Sequence, residues 1–231
     1  MPKINETLKT VCITAEIEDS IELISTGLKI IQNRTLSEYK FHLPILLLSS
    51  GIERLLKLII YFGYNKTHDS FPTQKYLKNL GHNIIELKLC VLNNYYSTPN
   101  DAMEKDLTFL RNDENLNNLL DILSKFGTGA RYYNLDLITG GQSPYDFHSA
   151  WACLEINFLD IVTGGQQIKY SKRNENYRKI KKEIIILIER FIRALVRQFT
   201  LGYIKDQAKI YSNLVKKFLN ISDSKLGRIN Y

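Results

Sequence analysis

Apolar residues recur along this chain at three- and four-residue steps, and no stretch sustains the two-residue alternation of a half-buried strand. The clearest run is Ile45, Leu48, Ile52, Leu55, Ile59 and Phe62, with Ser50, Glu53, Arg54, Lys57, Tyr61 and Tyr64 opposite. Pro44 suits the first turn of that helix, where its missing N–H would be unpaired anyway; Gly63 and Asn65 are expected to end it. Asn83 followed by Glu86 predicts an N-cap and a helix from Ile84 towards Asn93. Leu116, Leu119, Leu120, Leu123 and Phe126 form another stripe, with Gly127 expected just past its end. Ser143, Pro144 and Asp146 read as N-cap, first-turn proline and N3 acid of a helix that buries Phe147, Trp151, Leu154, Phe158 and Ile161. An acid-rich helix is expected over 16–31.

Two amphipathic helices are expected near the C-terminus. One carries Ile180, Ile184, Leu187, Phe191, Leu195 and Phe199 and stops near Gly202; the other carries Ile204, Ala208, Tyr211, Leu214 or Val215, and Phe218. The fold class is therefore all-α, an antiparallel helical bundle over 1–165 with long C-terminal helices over 166–231 packed on the same domain. Ile138-Thr139-Gly140-Gly141-Gln142 recurs as Val162-Thr163-Gly164-Gly165-Gln166. Lacking the lysine of a phosphate loop, both copies read as helix stops.

Charge changes the picture. Residues 1–165 carry 15 Lys/Arg against 19 Asp/Glu, a net of −4; residues 166–231 carry 16 against 5, a net of +11. The chain's whole +7 thus comes from its last third. A basic face of that size meets something anionic, either a nucleic-acid backbone or an acidic protein surface. On the first helix of that third, Arg190, Arg193 and Arg197 share a face, with Lys179 and Lys182 about two to three turns earlier. This row is a candidate RNA-binding surface, sequence-independent and salt-sensitive. The ordinary alternative is a solvated helix face, with Glu189 able to pair with Arg193.

Cys12, Cys90 and Cys153 are scattered without C-x-x-C spacing, which points to a reducing compartment, no disulfides and no thiolate metal site. No H-E-x-x-H, carboxylate-rich loop or G-x-S-x-G occurs, so neither a metal, another cofactor nor a serine nucleophile is expected. The apolar runs 43–48 and 184–188 fall far short of the ~20 residues of a membrane span, and the first residues do not read as a secretory signal. The expectation is a soluble, cytoplasmic protein.

Three residues are candidates for chemistry. His82 precedes a capped helix, and an imidazole can take or give a proton near neutrality; it can equally serve as a turn residue. Arg131 stands beside Tyr132 and Tyr133 between glycines, as a phosphate-and-base clamp would. Alternatively Arg131 pairs with Asp136 or Glu53 while the tyrosines pack. Glu53 is the third, with Arg54 and Lys57 beside it; Glu53 and Lys57 at i,i+4 also suit a plain helix-supporting pair.

The segment Gly51-Ile52-Glu53-Arg54-Leu55-Leu56-Lys57, a loop, and Leu80-Gly81-His82-Asn83-Ile84-Ile85-Glu86-Leu87 together resemble the HEPN superfamily (higher eukaryote and prokaryote nucleotide-binding) over roughly residues 40–165. The resemblance implies a four- or five-helix bundle that pairs as a homodimer, of a kind found in toxins, phage-defence proteins and RNA-processing factors. It also implies metal-independent ribonuclease chemistry by an arginine and a histidine four to six residues apart. This chain departs from that pattern. Its histidines are His42, His68, His82 and His148, and the nearest arginine-to-histidine pair, Arg34 and His42, has seven residues between. The expectation is therefore an RNA-associated protein of defence or toxin type without the usual centre. The alternative is a non-enzymatic module that assembles with itself or with a partner protein.

Overall fold

The computed structural model describes residues 5–38, 41–129, 132–140, 145–166 and 170–231, and all of their regular structure is helical. Two long helices, α1 (Glu6–Asn33) and α2 (His42–His68), form the central pair. Gly27 lies against Leu48, Ser20 against Gly51 and Glu16 against Arg54, so the two run antiparallel. Their close approach is built on absent side chains. A Cβ on Gly51 would stand 2.9 Å from the Ser20 carbonyl oxygen, and the Ser20 hydroxyl donates to the Gly51 carbonyl at 2.8 Å.

The short α3 (Gln74–Asn79) leads to α4 (Ile84–Asn94), capped as expected by Asn83, whose side chain accepts from the Ile85 and Glu86 amides. Next come α5 (Asp101–Asn112), which the apolar pattern did not announce, and α6 (Glu114–Thr128). The helix α7 (Tyr133–Ile138) is short; α8 (Phe147–Thr163) packs on α9 (Arg173–Val196) and α6. A single apolar core includes the stripes of α1, α2, α4, α6, α8 and α9, and the last third of the chain shares it.

Four local expectations are corrected. Gly63 does not end α2, which continues to His68; its bare Cα instead accommodates the Tyr95 ring, 2.4 Å from where a Cβ would be. Gly127 lies inside α6, facing the Ser49 hydroxyl, which donates to Leu123 O at 2.9 Å. The N-cap of α8 is Asp146, accepting from the His148 and Ser149 amides; Ser143 and Pro144 lie outside the described residues, and Ile161 is exposed. The last predicted helix is broken into turns of α (Lys205–Ala208, Lys216–Leu219) and 3-10 (Lys209–Tyr211). Ile204, Ala208, Tyr211, Val215 and Phe218 are nonetheless all buried as their spacing requires. Ile210, Ser212 and Asn213 are poor helix formers, and a 3-10 turn tolerates them while keeping the apolar face inward. The glycine repeats do stop helices: Gly164 is the left-handed cap of α8 (φ 63°), and Gly140, past α7, has φ 76°.

The final residues form a strap across α9 and α1. Gly227 N and the Tyr231 hydroxyl donate to the two oxygens of buried Glu189, at 2.6 and 2.9 Å. Gln32 donates to Ile229 O at 2.7 Å and accepts from Tyr231 N at 3.2 Å. Burial pushes the Glu189 carboxyl above its ordinary value near 4.5 despite those two donors. A raised value in the folded state means the group's contribution to stability is complete below the ordinary value and is lost as pH climbs through the folded one. Glu189→Gln should therefore gain stability relative to the parent as pH rises from about 4.5 through the raised folded value, followed by thermal unfolding at each pH. A difference that stays flat over that range would contradict the assignment.

Candidate functional site

Two groups of polar side chains stand out. In the first, α2 presents Glu53 and Lys57 one turn apart, and the turn at Gly81 (φ 66°) brings His82 over them. His82 Nδ1 lies 2.9 Å from Glu53 Oε1, and Lys57 Nζ donates to the same oxygen at 2.8 Å. The imidazole is 62% exposed and Glu53 largely covered. A carboxylate that orients an imidazole is half of a proton-transfer site. Arg54 does not join the pair: it turns to α1 and pairs with Glu16 at 2.8 Å and Asp19 at 3.8 Å, which leaves Lys57 as the cation beside Glu53 and His82. Arg131 lies outside the described residues. Tyr132 is exposed, while Tyr133 packs edge-on to Phe147, with ring centroids 5.8 Å apart. Two of the three candidates for chemistry, Glu53 and His82, are thus brought together.

The second group is a cleft of about 490 Å³ where α9 meets α5 and the strap. Arg190, Arg193 and Arg197, at i, i+3 and i+7, form its floor; Lys105 and Asp106 of α5 form one wall and Asp223 and Leu226 the other. Arg193 is buried, donating to Ile221 O at 2.9 Å and to Asp223 Oδ1 at 2.7 Å. That hydrogen bond and the guanidinium charge hold the Asp223 carboxyl below the usual carboxylate range. Arg197 is ion-paired with Asp106. The Arg190 guanidinium lies 3.9 Å over the Phe109 ring. Among the described residues neither Arg190 nor Lys105 has a carboxylate within 4 Å. Four cations against two carboxylates leave the cleft with a formal net charge of +2.

The rest of the basic row is divided. Lys179 pairs with Glu175 at 2.6 Å on the surface and Lys182 is exposed. Lys181, in contrast, turns inward and donates to the carbonyls of Gln32 and Arg34, closing the C-terminal end of α1. Part of the C-terminal positive charge is therefore structural, as is the pair between Lys66 and Asp206 that ties α2 to the last third. The sequence reading missed Lys105, Asp106 and Asp223. The start signal Asn100-Asp101 with Glu104, realised in the Asn100 cap of α5, was the cue available for the first two.

A third feature is an apolar groove of about 490 Å³ between α1, α2 and α3, lined by Leu8, Cys12, Ile13, Leu58, Tyr61 and Leu77. Burial pushes the Tyr61 hydroxyl up to about 12. Among the described residues, no cluster of His, Cys, Asp and Glu is placed to hold a metal ion, and no helix is long and apolar enough to cross a membrane. Comparison with family models, with curated proteins and with solved structures returned no match.

Proposed function

We propose that this chain is an RNA-associated protein, HEPN-like and of the defence or toxin kind, that holds single-stranded RNA through the α9 cleft without cleaving it. The observation that carries the reading is the convergence of Arg190, Arg193, Arg197 and Lys105 on one hollow in which two of the four cations lack a carboxylate partner among the described residues. Guanidinium groups recognise phosphate oxygens in pairs, and their attraction to a polyanion is released by salt. The Glu53–His82 pair, without Arg54, supports the non-cleaving part.

Filter binding with labelled single-stranded RNA tests this. About three phosphate contacts predict that log K falls with log salt at a slope of roughly −2. Arg190→Ala with Lys105→Ala should weaken binding about ten-fold or more and flatten that slope by about 1.4, with the RNA recovered intact. Wild-type protein that retains no RNA at about 50 mM salt would remove the reading.

A second reading, assembly with another copy of the chain, draws on the apolar groove beside the exposed Leu8 and Val11. Exposed apolar surface of this kind marks association sites. Light scattering of nucleic-acid-free protein reads the mass directly and separates the two.

A further inference from the structure

Resting on the RNA reading above, we infer that the α9 cleft takes the phosphorylated end of a strand, a terminal phosphomonoester, in preference to the diesters along its length. The cleft's extent is the first reason. A surface that tracks a backbone runs on past several phosphates. This hollow is short instead: its arginines, Arg190 to Arg197, cover seven residues of helix, about 10 Å, and it holds about 490 Å³.

Charge is the second reason. A diester carries one negative charge, whereas a phosphate monoester carries about −1.5 to −2 near neutrality. Once Asp223 gives way to the incoming phosphate, the four cations face one remaining carboxylate, Asp106, and this formal +3 is compensated further by a monoester than by a single diester.

The third reason is the state of each donor. The Arg190 guanidinium is held 3.9 Å over the Phe109 ring and, among the described residues, has no carboxylate within 4 Å, so its N–H groups are left for a two-oxygen contact. Arg193 is anchored from behind by Ile221 O, so its second contact can change hands without the side chain losing its place. That second contact is Asp223, whose side chain is 88% exposed and free to swing outward. The carboxylate of Asp223 thus stands where a phosphate oxygen would, and an incoming monoester displaces it. Arg197, held by the largely covered Asp106, stays in place as a charge at the base.

The test compares one RNA oligonucleotide, internally labelled, in 5′-phosphorylated, 3′-phosphorylated and unphosphorylated forms, by fluorescence anisotropy with the full chain. One phosphorylated form should bind about ten-fold tighter than the unphosphorylated strand, and which one identifies the end that is read. Arg190→Ala, and separately Lys105→Ala, should weaken every strand but the preferred phosphorylated one most, so that the ratio between it and the unphosphorylated strand falls towards one. Asp223→Asn should enlarge it, since the competing carboxylate is gone. Equal affinity for all three strands, or an Arg190→Ala variant that weakens all three equally, overturns the inference but leaves RNA binding intact. No binding of any strand overturns both.

Discussion

Gly51→Leu should lower stability by about 3 kcal/mol or more, a drop of roughly 6–12 °C in melting temperature for a chain of this length. At this position α1 and α2 are separated by little more than their backbones. A Cβ would meet Ile24 Cγ1 at 2.7 Å, Ser20 O at 2.9 Å and Ile24 N at 3.1 Å. Two of those three atoms are backbone and cannot rotate away. Fitting a leucine would require the helices to part, which breaks the Ser20–Gly51 hydrogen bond and opens voids along both apolar stripes. Gly51→Ala should show a smaller loss in the same direction. Thermal unfolding followed by circular dichroism measures both, and a leucine variant that melts with the parent would refute the close crossing.

Phe62→Ala should cost about 3–5 kcal/mol. The ring is 1% exposed and lies between α2 and the last third, 6.0 Å from Phe199 and 5.7 Å from Tyr211 between ring centroids. Its loss leaves a cavity between regions nearly 140 residues apart in the chain. Trp151, the one tryptophan, is buried in α8 and reports on another part of the core. If the core is continuous, denaturant transitions followed by helix signal and by Trp151 fluorescence should coincide and shift together in the variant. Tryptophan fluorescence that holds its native midpoint while the helix signal falls early would mean two separately folding units.

Where local chemistry decides structure, the sequence was readable. Asn83 caps α4 because its side chain reaches amides two and three residues on, and the α2 stripe is buried because its spacing matches the helix turn. Two of the four misreadings concern glycine. Gly63 and Gly127 look like stop signals, yet each marks a place where a distant Tyr95 or Ser49 fits, and such partners leave no trace in the neighbouring residues. The site divides in the same way. The shared face of Arg190, Arg193 and Arg197 follows from helical periodicity alone. The burial of Arg193 depends on Ile221 and Asp223, and the pairing of Arg197 on Asp106, 91 residues earlier. The Glu53–His82 contact spans 29 residues and was accessible because a helix, a loop and a capped turn were each recognisable.

The strap has a consequence for biosynthesis. The side chain of Gln32 is satisfied by residues 197 and 199 positions later. At a ribosomal rate of about 5–20 residues per second, α1 is completed roughly 10–40 s before those partners exist. From the completion of α2 at His68 until α9 is made at residues 173–196, the nascent protein carries an apolar α1–α2 hairpin with neither α9 nor the strap to cover it. Such an unfinished surface is what holdase chaperones bind, so yield in a cell depends on their supply as well as on the stability of the finished fold.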